Sequence, residues 1–124
     1  MDHIGLIVSN VEGANTFYRA CLSALGWEFR DYGDRGGVFR KSGSPPFYVT
    51  PGAIDASGAH FAFRASSREQ VENFHRAAIM QGATDNGAPG LRPDYAQGYY
   101  AAFVLDANRN NLEAVYYEAK DGDG

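Results

Sequence analysis

An internal repeat at an offset of 57 residues constrains this chain more than any other feature of its sequence. His3 aligns with His60, Ser9 with Ser66 and Glu12 with Glu69, while Phe17, Arg19 and Ala20 align with Phe74, Arg76 and Ala77. The matches keep one order in both halves: an apolar stretch, a polar cap, then an apolar stripe of helical period. Identities on equivalent positions read as duplication of one β-α-β-β-β unit. Halves of about 60 residues bury little core alone, so the two are expected to pack together.

The first half opens on a strand, Asp2 to Val8, in which His3, Gly5 and Ile7 share one face. Asn10 or Ser9 caps a helix running to about Leu25, and Gly26 stops it. Three strands follow, over Trp27 to Asp31, Val38 to Lys41 and Phe47 to Thr50, and Pro51 to Gly58 reads as a linker. The second half repeats the plan. Ala59 to Ala65 is a strand, and Ser67 with Gln70 forms a capping-box signature for a helix to about Gln81, stopped by Gly82. Ala83 to Asn86 is a short strand, and Gly87 to Gln97 is a Gly- and Pro-bearing loop, the candidate lid. Gly98 to Asp106 and Asn111 to Glu118 are the last strands, joined by a turn. The expected organisation is a single domain over 1–124, with module one at 1–55, module two at 57–118 and a tail at 119–124.

The net charge of −4, with no basic cluster, argues against a nucleic-acid partner. No apolar run approaches the roughly 18 residues of a membrane span. No basic start leads into an apolar stretch, so a cytoplasmic location is expected. The single cysteine, Cys21, lies on the helical stripe and reads as a small buried hydrophobe.

The chemistry centres on His3 and His60, which hold equivalent places in the two opening strands. If the modules pack about a pseudo-twofold axis, both imidazoles reach one cavity. Glu113 on the last strand supplies a carboxylate. Two His and one carboxylate suit a divalent metal with open coordination positions. Spacing alone leaves a second reading open, of two packed histidines and a surface Glu. His75, on the second helix, reads as structural.

Three segments carry a family likeness: Asp2-His3-Ile4-Gly5-Leu6, Ala59-His60-Phe61-Ala62-Phe63, and Ala102-Phe103-Val104-Leu105-Asp106 followed by Asn110-Asn111-Leu112-Glu113-Ala114-Val115. On these the chain resembles the vicinal oxygen chelate superfamily, which includes glyoxalase I, extradiol dioxygenases, fosfomycin-resistance transferases and bleomycin-binding proteins. The likeness covers residues 2 to about 118 and is nearest to small bacterial glyoxalase-like proteins. It implies an α+β fold of two βαβββ modules forming a cupped, mostly antiparallel eight-stranded sheet around a central cavity. It also implies a divalent metal (Zn, Ni, Fe, Mn or Co) on His3, His60 and Glu113, with Glu113 the catalytic residue. Relatives build each site from two subunits, so a homodimer is implied, with His3 from one chain and His60 and Glu113 from the other. Candidate substrate-binding residues are Tyr48, Arg92, Tyr95 and Tyr99.

Departures from the family pattern narrow the activity. Glyoxalase I has a second acidic ligand late in its first module, where Pro46-Phe47-Tyr48-Val49-Thr50 has no carboxylate. Fosfomycin transferases carry a Lys- and Ser-rich loop, and the matching stretch Gly90 to Gln97 lacks both. Extradiol dioxygenases use further acid-base histidines, and only His75 remains. Two functions follow. One is a glyoxalase-like metalloprotein that chelates a small oxygen-bearing substrate for lyase or isomerase, thiol-transfer or dioxygenase chemistry. The other is a non-catalytic protein that sequesters a small molecule, as bleomycin-binding relatives do.

Overall fold

In the first half, alternation sets which side of β1 (Ile4–Val8) is buried: Leu6 and Val8 are enclosed, while Gly5 and Ile7 are exposed. The helix α1 (Val11–Ser23) starts where Asn10 Oδ1 accepts from Gly13 N at 3.0 Å. Its buried stripe of Tyr18, Cys21 and Leu22 meets Phe39 and Phe47, with Tyr18 packed edge-on or tilted against both rings. Gly26, at φ +87°, ends the helix. Trp27 N donates to Leu22 O and Gly26 N to Ser23 O, which satisfies the last free carbonyls. β2 (Glu28–Asp31), a short 3₁₀ turn (Gly33–Arg35), β3 (Gly37–Arg40) and β4 (Phe47–Pro51) complete the half.

This computed structural model describes residues 3–52 and 59–118. Asp2, most of the expected linker and the expected tail at 119–124 lie outside the described residues. The chain divides into two compact units, Met1–Ala56 and Ser57–Gly124.

The second unit repeats the first with β5 (His60–Arg64), α2 (Arg68–Met80), β6 (Thr84–Leu91), β7 (Tyr99–Leu105) and β8 (Asn111–Tyr117). The capping box forms with a variation. Gln70 N donates to Ser67 Oγ, but Gln70 Oε1 accepts from Ser66 N, one residue earlier than the motif predicts. Gly82 repeats the stop seen at Gly26, with Ala83 N donating to Ala78 O and Gly82 N to Ile79 O. Val71, Phe74 and Ala78 of α2 are fully enclosed on the sheet side that carries Ala102, Val104, Leu112 and Ala114.

The fold is α+β. The expected eight strands occur as two four-stranded mixed sheets, ordered β1-β4-β3-β2 and β5-β8-β7-β6. Each has one parallel pair, β1 with β4 or β5 with β8, and two antiparallel pairs.

One element departs from expectation. The short strand at Ala83 to Asn86 and the loop at Gly87 to Gln97 are instead an eight-residue β6 reaching Leu91, with a loop only at 92–98. Gly and Pro, which read as loop signals, are absorbed by two shifts of register against β7, between Asp85 and Gly87 and between Gly87 and Gly90. Pro89 falls in the second shift on an edge strand, where its missing N–H costs no ladder bond.

Candidate functional site

The strand β8 presents Leu112 and Ala114 to the helix side of its sheet, so Glu113 points to the other face. Glu113 is only 2% exposed, which overturns the surface-Glu alternative. Two neighbours compensate the buried carboxylate. His60 Nε2 donates to Oε1 at 2.9 Å, and the Tyr99 hydroxyl donates to Oε2. Register explains the meeting. Glu113 lies opposite Ala62 of β5 and Phe103 of β7. His60 and Tyr99 are two and four residues from those partners and share their face. Burial raises the Tyr99 phenol above its usual pKa, and the hydrogen bond to Glu113 adds to the shift. The phenol therefore stays a neutral donor.

These groups line a cavity of about 430 Å³ within the second unit. Arg92, Tyr95, Phe103, Asn86 and Asn111 complete most of its wall. Phe103 is the floor. The His60 and Tyr95 rings each stand 6.4 Å from it, and the Arg92 guanidinium carbon lies 5.4 Å from its centroid. Tyr95 is itself 62% exposed and packs edge-on against Tyr99.

His60 is positioned by a buried clamp that sequence reading resolved only as a turn. Asp106 accepts from Asn108 N, Asn110 N and Asn110 Nδ2. Asn110 Oδ1 then accepts from Ala59 N at 2.8 Å, and Asn111 N donates to Ala59 O. The start of β5 is thus fixed one residue before His60. The signal was present in Asp106-Ala107-Asn108, since an Asp bonding the N–H two residues on is an Asx turn. His75 does not line this cavity. It joins α2 to β6 through Asp85 Oδ1 at 3.0 Å. The Asp85 carboxyl is held below its ordinary pKa by the Gly87 N–H and then by His75.

The expected site residues fall into two groups. His60, Glu113, Arg92, Tyr95 and Tyr99 surround the one cavity. His3 and Tyr48 lie in the first unit, their rings edge-to-face at 5.5 Å. The repeat relates the two groups. Gly5 of β1 pairs with Tyr48 as Ala62 of β5 pairs with Glu113, so Tyr48 stands at the counterpart position of Glu113. Where one unit has a histidine and a carboxylate, the other has a histidine and a phenol.

The donor chemistry of His60 and Glu113 fits a divalent first-row metal, one imidazole nitrogen and one carboxylate oxygen on adjacent strands. The pair supplies two donors. Among the described residues no group of three or more His, Cys, Asp or Glu side chains gathers to hold a metal. Among the described residues no helix is long and apolar enough to cross a membrane.

Comparison with known proteins agrees with this architecture. A glyoxalase/bleomycin resistance protein from Albidiferax ferrireducens T118 superposes with a TM-score of 0.81 at 26% identity, covering 95% of this chain and 98% of that one. A glyoxalase/bleomycin resistance protein/dioxygenase family enzyme from Burkholderia phytofirmans PsJN gives 0.74 at 16% identity, covering 95% and 100%. The fosfomycin resistance protein FosX from Mesorhizobium loti gives 0.70 at 14% identity, covering 100% and 97%. The last two likenesses are of fold alone. No curated protein matches the sequence. The family model for the Glyoxalase/Bleomycin resistance protein/Dioxygenase superfamily matches residues 1–114. The chain belongs to that superfamily.

Proposed function

We propose that this chain is a glyoxalase-like metalloprotein of the cytoplasm, in which His3, His60 and Glu113 hold a divalent metal against a small oxygen-bearing substrate. The observation that carries this reading is Glu113, a carboxylate buried in a cavity wall with an imidazole on one oxygen and a phenol on the other. A buried charge is costly to keep unless it is paired, and a metal-ligand role accounts for keeping it. When bound, such a metal supplies Lewis acidity toward adjacent substrate oxygens.

The chain's own residues do the rest. Tyr99 holds the Glu113 carboxylate in one orientation, and the clamp on Ala59 does the same for the start of the His60 strand. Glu113 is the one carboxylate among the cavity-lining residues, so it is the group that takes up a substrate proton. Tyr95 and Tyr99 give the ligand aromatic walls. Tyr48, beside His3, contacts substrate where a homodimer brings His3 of one chain to His60 and Glu113 of the other. The chemistry this supports is a lyase or isomerase step, a thiol transfer or a dioxygenation.

A second reading is favoured by Tyr48. With a phenol at the counterpart of Glu113, the first unit lacks the second acid of glyoxalase I, and the protein would instead sequester a small molecule without reacting it. Metal analysis of protein purified without chelator separates the two. The metalloprotein reading expects close to one divalent ion per chain, lost in Glu113→Ala. Trace metal that does not change in Glu113→Ala contradicts it. Small-molecule binding that persists in chelator supports sequestration.

A further inference from the structure

The edge strand β6 is bulged at Gly87 and Gly90, and Arg92 fills the bulge. Arg92 Nη2 donates to Ala88 O at 2.7 Å, and the guanidinium lies over the Phe103 ring. A Cβ at Gly87 would stand 3.2 Å from Nη2, and one at Gly90 would stand 3.1 Å from Nη1. Both distances are tighter than ordinary side-chain contact, so the two glycines make the space that the guanidinium occupies. Gly87 also holds φ +151°, which L side chains rarely adopt. Arg92 is thus half-buried and fixed before any ligand arrives. It has no carboxylate partner among the described residues, because the one carboxylate lining the cavity is already bonded to His60 and Tyr99.

The geometry points to Arg92 as the anchor for the charged end of the ligand, a small organic anion bearing a carboxylate or phosphonate group. This rests on the reading that the cavity beside Glu113 is the substrate site. A guanidinium pre-set against a cavity, with the one lining carboxylate bonded to His60 and Tyr99 rather than to it, favours an anion, and its planar fork matches carboxylate and phosphonate oxygens two at a time. Tyr95, Tyr99 and Phe103 then offer aromatic surface to the rest of the molecule. Fixing the guanidinium in advance removes much of the ordering cost that a free arginine would bring to binding.

The test titrates benzoate, phenylphosphonate and the neutral isostere benzamide against the full chain, followed by NMR. Zinc-loaded and chelator-treated samples are compared, with metal content measured on each. Both anions are expected to bind, with benzamide about tenfold weaker, a gap of the size a charge-assisted pair produces. Arg92→Ala is expected to bring the anions down to the level of benzamide. Arg92→Gln removes the charge but keeps a polar side chain at the bulge, and is expected to weaken the anions severalfold while leaving benzamide unchanged. Should Arg92→Ala fail to fold by its thermal melt, Arg92→Gln decides. Equal affinity for benzoate and benzamide, no binding of either anion, or anion binding unchanged in these variants overturns the assignment. Zinc binding without anion preference defeats the anchor alone, and anion preference without zinc binding defeats the metal reading alone.

Discussion

Glu113 shows how little of a site's energetics is visible in local sequence. An acid between Leu112 and Ala114 reads as one exposed residue of an alternating strand, yet it is among the most buried polar groups of the chain. Its burial is tolerable because of His60, 53 residues away, and Tyr99, 14 residues away. Both act through strand pairing, which a local pattern does not specify. What the sequence did carry was donor type, since the repeat singles out His60 and the last strand offers one carboxylate facing its side. Tyr99→Phe removes one of the two hydrogen bonds to the buried carboxylate. It is expected to lower unfolding free energy by about 1.5–3 kcal/mol, the usual worth of a hydrogen bond to a charged group. Urea denaturation measures this, and a change below about 0.5 kcal/mol would mean that Glu113 does not depend on Tyr99.

At the scale of elements, the helices were legible and the edge strand was not. Each helix carries its own punctuation, Asn10 or Ser67 at the start and Gly26 or Gly82 at the end, and these act within a few residues of where they stand. The strand β6 has no such autonomy. Thr84-Asp85-Asn86-Gly87-Ala88-Pro89-Gly90-Leu91 has the composition of a turn, and only pairing with the aromatic strand β7 draws it into the sheet. The bulges that made it unreadable are also what seats Arg92, so the local inconsistency falls on the wall of the proposed site. The cap that was legible can be tested. Ser67→Ala removes the acceptor for Gln70 N and is expected to cost about 1 kcal/mol in chemical denaturation. A neutral result would show that the bond from Ser66 N to Gln70 Oε1 holds this helix start by itself.

Across the whole molecule, one strand order occurs twice, and the two copies have diverged in length and chemistry. The strands β2 and β3 have four residues each, whereas their counterparts β6 and β7 have eight and seven. The longer hairpin supplies Gly87, Phe103 and Tyr99 to the cavity wall, and the position held by Tyr48 in the first unit is held in the second by Glu113, a carboxylate beside His60. Duplication was readable from His3 and His60, and family membership follows from nearly the full length of the chain. The divergence was readable only as a missing acid at Tyr48. The proposed metalloprotein makes His3, His60 and Glu113 ligands of one metal. Anomalous diffraction from crystals grown with zinc tests it most directly. A single strong peak is expected at roughly 2.0–2.2 Å from an imidazole nitrogen of His60, an oxygen of Glu113 and an imidazole nitrogen of His3, from the same chain or from a second copy. A zinc-soaked crystal with no peak at these side chains, and with Glu113 still bonded to His60 and Tyr99, would contradict it.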